Sequence, residues 1–155
     1  MKEQTTQLAT FAAGCFWGVE EAFRKVPGVI DVVVGYTGGD VEQPTYEMVC
    51  TDTTGHAEAV KVTFDPSRVT YAELLLTFLS MHDPTQRDGQ GLDMGRQYRS
   101  AVFYHSHTQR DDAEQALKEY QKGTMRTVVT EMVPAQVFWP AEEYHQRYIE
   151  KHTGK

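Results

Sequence analysis

Two strand-like segments, Val29 to Tyr36 and His56 to Phe64, follow one another with no helical pattern between them, and this most constrains the fold. Val29 to Tyr36 is β-branched and apolar almost throughout, as in a central strand, and Gly38-Gly39 breaks it. His56 to Phe64 alternates: Ala57, Ala59, Lys61 and Thr63 fall on one side, Glu58, Val60, Val62 and Phe64 on the other. A polar loop containing Gln43-Pro44-Thr45-Tyr46 joins them. Strands that do not alternate strictly with helices argue against a doubly wound parallel sheet and for an α+β arrangement.

The rest of the chain fits this scheme. Leu8 to Ala13 reads as a short buried strand, and Phe16 to Lys25 as a helix with apolar residues at spacings of three and four, stopped by Pro27-Gly28. Tyr71 to Ser80 is a second apolar helix, Ser100 to Tyr104 a strand, Gln109 to Gln121 a surface helix, Val128 to Met132 a last strand and Ala141 to Lys151 a final short helix. His82 to Arg99, with Pro84, Gly89, Gly91 and Gly95, reads as a long loop of the kind that carries function. The expected fold is a two-layer α+β sandwich, a ferredoxin-like mixed sheet with helices mainly on one face and a coil-rich C-terminal part. No repeat, linker or composition break divides it, so residues 1–155 are expected to form one domain.

Fifteen basic against twenty-two acidic side chains leave a net charge of −7, which argues against nucleic-acid binding by phosphate neutralisation. Met1 to Thr10 lacks the apolar stretch of a signal peptide, and no apolar run approaches the roughly 20 residues that cross a bilayer. Two cysteines, Cys15 and Cys50, do not make a secreted disulfide framework. A cytoplasmic protein with reduced cysteines, working as a monomer, is expected.

Gly14-Cys15-Phe16-Trp17-Gly18 carries the most chemical information. A strand ends, a glycine permits a tight turn, and Cys15 falls at the start of a helix, where free backbone N–H groups favour a thiolate and should lower its pKa. The alternative is a buried, inert cysteine packed with Phe16 and Trp17 against the sheet. An apolar pocket beside a soft nucleophile suits a substrate with an apolar end and a sulfur electrophile or a carbonyl. Attack on a sulfoxide sulfur drives charge onto oxygen, so a neutral carboxylic acid nearby is needed. Glu58, on the apolar face of its strand, is the candidate; a solvated strand-end carboxylate is the alternative.

With Gly35-Tyr-Thr-Gly-Gly39, Pro44-Thr-Tyr-Glu-Met-Val-Cys50, Thr54-Gly-His-Ala-Glu-Ala-Val60, Asp83-Pro-Thr-Gln86, Gly95-Arg-Gln-Tyr-Arg-Ser100 and Tyr144-His-Gln146 in order, the chain resembles the A-type peptide methionine sulfoxide reductase family over roughly residues 8 to 150. The resemblance implies that Cys15 is the nucleophile, ending as a sulfenic acid, and that Phe16 and Trp17 form the wall for the substrate's S-methyl group. It implies Glu58 as the acid that protonates the sulfoxide oxygen, Tyr46 and Tyr98 as phenols that hydrogen-bond that oxygen, and Asp93 as part of the loop shaping the pocket. The reaction implied is thiol-dependent reduction of the S epimer of methionine sulfoxide, free or in oxidised proteins, with no bound cofactor or metal. The reductant would be external: thioredoxin, or a glutaredoxin and glutathione system.

Many members of this family resolve the sulfenic acid with cysteines in a C-terminal tail; His152-Thr-Gly-Lys155 holds none. Thioredoxin or another thiol acting directly is therefore expected, with Cys50 as packing rather than as the resolving thiol. His105 and His107 lack the companions of a metal site, and His56 either joins the wall near Glu58 or is solvated. Tyr144-His145-Gln146 is read as packing near the cleft, and the glycines of Gly35 to Gly39 as turn formers rather than a phosphate loop. A cysteine hydrolase, a thiol peroxidase and an acidic interaction domain are the rival functions.

Overall fold

The computed structural model describes residues 5–152. The expectations about an N-terminal leader and about the tail His152-Thr-Gly-Lys155 bear partly on residues 1–4 and 153–155, which lie outside the described residues. From the N-terminus the elements are β1 (Gln7–Ala13), α1 (Phe16–Arg24), β2 (Val29–Thr37), α2 (Tyr46–Cys50), β3 (Ala57–Phe64) and α3 (Tyr71–Ser80). A small hairpin of β4 (Gly89–Gln90) and β5 (Asp93–Met94) and a 3-10 turn at Arg96–Tyr98 follow. Then come β6 (Ser100–Tyr104), α4 (His107–Lys122), β7 (Glu131–Pro134), β8 (Trp139–Pro140), a 3-10 turn at Glu143–His145 and α5 (Tyr148–His152).

Among the described residues the main sheet has six strands in the order β7-β6-β1-β3-β2-β8. All its neighbours are antiparallel except β6 and β7. The alternation read along β3 holds: Val60, Val62 and Phe64 join Phe11, Val34 and Val102 in the core beneath the helices, while Ala57 and Ala59 lie in a second cluster on the other face. Phe11 is the pivot of the main core, its ring 5.1 Å from Phe23 of α1 and 5.0 Å from Phe78 of α3. Burying each such ring contributes about 2–3 kcal/mol, which fixes α1 and α3 on one face. The small side chains of the other face, with Phe103, are covered by Val133, Ala135 and Phe138 from the coil-rich C-terminal part. No described helix is long and apolar enough to cross a membrane.

Local departures from the sequence expectation each have a cause. Tyr46–Cys50, read as loop, forms one helical turn because Thr45 accepts a hydrogen bond from the Met48 N–H at 3.2 Å. α4 starts two residues early, where Ser106 caps the Gln109 N–H. The last long strand lies at Glu131–Pro134, set by its parallel register with Ala101–Tyr104, and β8 adds a two-residue edge to β2. The expected helix over 141–151 is broken: Arg147 takes a left-handed φ of 56°, and its N–H donates to the Glu20 carboxylate at 2.8 Å. Residues 142–148 therefore run as a strap across α1 and the edge of β2. Gln146 fastens it there, accepting from the Val34 N–H and donating to the Val34 carbonyl, both at 3.0 Å.

Candidate functional site

The strap, the end of β1 and the loops around α2 and the β4–β5 hairpin converge on Cys15. β1 ends at Ala13, and Gly14 turns the chain with a φ of 98°. A Cβ at Gly14 would meet the Gln90 side chain at 2.9 Å, so the turn needs glycine both for its backbone and for close approach of the hairpin. Gln90 is itself pinned, accepting from the Asp83 N–H and donating to the Asp83 carbonyl, both at 2.7 Å.

Cys15 thus occupies the N-cap position of α1, half-buried, with the Trp17 and Gly18 N–H groups directed at its sulfur. The sequence expectation of a lowered pKa does not hold for the free protein. Burial pushes the thiol up to about 11; the Trp17 amide opposes this, the charges of Glu58 and Asp93 add to it, and the Gly18 amide opposes it again. A partly dry sulfur between two carboxylates outweighs the start of a nine-residue helix.

Glu58 is 1% exposed, on the helix-covered face of β3. Its Oε1 accepts from the Phe16 N–H at 3.2 Å, while Oε2 is buried and unpartnered. Burial pushes its pKa up to about 8, against the pull of the Phe16 N–H and with a further push from Asp93. At pH 7 the carboxyl is accordingly neutral. With Oε1 already accepting, the proton sits on Oε2 as a buried donor without an acceptor, the kind of group that native structures keep for a reason.

Tyr98, at the end of its 3-10 turn, is pushed up to about 12 by burial and then by the charges of Glu58, Cys50, Cys15 and Asp93. Tyr46 is also raised, by burial and by donating its hydroxyl to the Cys50 sulfur, and it too feels Glu58 and Tyr98. Asp93 sits exposed on β5, near enough to act on both Cys15 and Glu58. Phe16 is buried, its ring 6.4 Å from Tyr46 and 5.7 Å from Tyr36. Trp17 is half-buried and stacks on Tyr148 with centroids 3.8 Å apart. All seven residues singled out from the sequence therefore converge on one site.

The strap supplies residues that sequence reasoning left as packing or did not reach. His145 is 1% exposed among Phe16, Trp17, Tyr46 and Tyr144, and its Nδ1 accepts the Trp17 indole N–H at 2.9 Å. Glu142 accepts from the Tyr36 hydroxyl at 2.8 Å and the Tyr46 N–H at 2.9 Å. In the sequence His145 is singled out only through the Tyr144-His-Gln146 motif, as packing near the cleft, and Glu142 carries no signal. His56 does not join the wall: its ring bridges the Gly39 N–H and the Val41 carbonyl, tying down that loop. His105 bonds Thr10, and Cys50 is exposed on the last residue of α2.

Comparison with known proteins bears on the family and the fold. The family model described as "Peptide methionine sulfoxide reductase" matches residues 7–155. A Geobacter sulfurreducens protein named peptide methionine sulfoxide reductase MsrA is 56% identical, over 99% of this chain and 97% of its own. Among solved structures, reduced Mxr1 from Saccharomyces cerevisiae superposes with a TM-score of 0.92 at 34% identity, over 99% of this chain and 90% of that one. The same yeast protein in complex with Trx2 gives a TM-score of 0.68 at 28% identity, over 95% and 87% of the two chains.

Proposed function

The chain belongs to the peptide methionine sulfoxide reductase family, and on that premise we propose how its residues reduce methionine sulfoxide and which epimer they take. The observation that carries the reading is the neutral, buried Glu58 carboxyl with its unpartnered Oε2 beside Cys15. The S-methyl group of the substrate lies against Phe16 and Trp17, and the sulfoxide oxygen takes hydrogen bonds from Glu58 Oε2 and the hydroxyls of Tyr46 and Tyr98. Phenols pushed above their usual range stay neutral, so they donate to a developing oxyanion without repelling a thiolate.

The Cys15 sulfur attacks the sulfoxide sulfur as Glu58 passes its proton to the oxygen. The attack forms a transient S–S bond. The hydroxyl then passes from the methionine sulfur to Cys15 as the sulfoxide S–O bond and the S–S bond break, so that the thioether leaves, Cys15 ends as a sulfenic acid and the proton released from its thiol restores Glu58. The thiol sulfur is oxidised by two electrons and the methionine sulfur reduced by two. A dithiol then returns the sulfenic acid to the thiol, releasing water and a disulfide. A thioredoxin-type reductant is favoured by the yeast relative solved with Trx2, and such a reductant suits the cytoplasm. The wall, the acid and the phenols approach from fixed sides, which supports selection of one epimer; that it is the S form, in free or peptide-bound methionine, is what the family resemblance implies.

Single-turnover reduction of the two sulfoxide epimers tests this. The S epimer alone should be reduced, Cys15 should gain one oxygen in mass spectrometry, and Cys15→Ser should abolish the reaction. Glu58→Gln should slow it by about 10²–10⁴-fold. Near-normal rates in Glu58→Gln would remove Glu58 as the proton donor, and equal use of both epimers would end the stereochemical reading.

A further inference from the structure

We propose that His145 is a positioning residue that holds the Trp17 indole in its substrate-binding orientation through a proton-sensitive hydrogen bond. The inference rests on the reading of Trp17 as part of the substrate wall.

Three observations carry it. An indole N–H only donates, so the 2.9 Å contact makes His145 Nδ1 the acceptor and leaves the ring proton on Nε2. That Nε2 is buried with no partner, so no second hydrogen bond holds the ring in this tautomer, and the Trp17 bond decides it. Trp17 is clamped from its other side by Tyr148, stacked within 9° of parallel. Its orientation thus depends on one acceptor and one face, both supplied by the strap.

An imidazolium donates from both nitrogens and cannot accept. Protonating His145 would turn the bond into two opposed donors and release the indole. The titratable groups around His145 are Tyr46 from α2 and Glu142 and Tyr144 from its own segment. α1 presents Phe16 and Trp17, which do not titrate, and Tyr148 of α5 lies beyond Trp17. Burial lowers the His145 pKa below the usual histidine value, and the Glu142 charge opposes it without prevailing. The bond is therefore intact at neutral pH and lost on the acid side. Neither Glu58, at about 8, nor Cys15, at about 11, titrates there.

The test follows the Trp17 indole N–H by ¹⁵N–¹H NMR, assigned with a Trp139→Phe variant, together with steady-state reduction of a methionine sulfoxide peptide. On acidification the Trp17 resonance should move and KM should rise about tenfold with a shared midpoint, while kcat changes less than about threefold. His145→Phe should show the high KM at every pH. His145→Asn, whose Oδ1 can stand where Nδ1 accepts, should restore KM and remove its acid limb. An indole resonance that ignores pH would overturn the hydrogen-bond switch itself. If the resonance moves and KM does not, the bond stands but the reading of Trp17 as substrate wall fails. His145→Asn behaving like His145→Phe would assign the effect to ring packing and overturn the inference.

Discussion

At the scale of single residues, the site stores protons. The Glu58 charge acts on Cys15, and each group is held in its neutral form at pH 7, the thiol with a pKa of about 11 and the acid about 8. Because a Glu58 anion raises the Cys15 thiol, Glu58→Gln should bring the thiol pKa below about 11, read from thiolate ultraviolet absorbance. An unchanged value would mean that the two groups do not communicate. Stability carries the same signature. Glu58 has a folded pKa raised from the usual 4.5 to about 8, so its favourable contribution is complete below pH 4.5 and is lost as pH rises through 8. The stability of Glu58→Gln relative to wild type should accordingly grow between pH 5 and 9, by about 4 kcal/mol in denaturant titrations. A gap independent of pH would contradict the raised pKa.

At the scale of elements, what was legible depended on periodicity. β1, α1, β2 and β3 could be read because long apolar stripes of period two or near 3.6 record which face is buried. The same alternation put Glu58 on the core face before any fold was known. Tyr46, Tyr98 and Asp93 had no such signal. They lie on a five-residue helix, a 3-10 turn and a two-residue strand, too short for a repeat, and only the family resemblance singled them out. The lowered thiol pKa was misjudged because helix position is visible in a sequence whereas partial burial between two carboxylates is not. The segment around Tyr144-His145-Gln146 reads in the sequence as helix packing near the cleft, and its course as a strap is not legible because it is held by side chains 96 to 128 residues distant in sequence, Glu142 on Tyr46 and His145 on Trp17. Glu142→Ala leaves the Tyr36 hydroxyl and Tyr46 N–H without their acceptor, and should cost about 2 kcal/mol of stability and slow turnover. Glu142→Gln, which keeps an oxygen acceptor, should recover part of both. Equal losses in the two variants would show that the hydrogen bonds are not what matters.

At the scale of the whole molecule, the sheet divides labour between its faces. One carries the packed helices α1 and α3, the aromatic core and, at its rim, the candidate site; the other is closed by small side chains and C-terminal coil. Regeneration is the property that belongs to the molecule rather than to one element. Cys50 is exposed and already engaged by Tyr46, which supports a direct route from an external dithiol to Cys15. Cys50→Ser should then keep thioredoxin-driven turnover within about threefold of wild type, since a serine hydroxyl can accept the Tyr46 hydrogen bond in place of the sulfur. A Cys15–Cys50 disulfide in peptide maps of sulfoxide-treated protein, with turnover lost in Cys50→Ser, would reverse that conclusion.

The strap has a further consequence during synthesis. The 128 residues from Gly18 to His145 take a ribosome roughly 6–25 s to add at about 5–20 residues per second. Throughout that interval the nascent chain carries Cys15 and Trp17 without the histidine that bonds the Trp17 indole. Assembly of the pocket is thus deferred until the strap has been made, and a ribosome that stalls short of it yields a chain with the Cys15 thiol but no assembled pocket beside it.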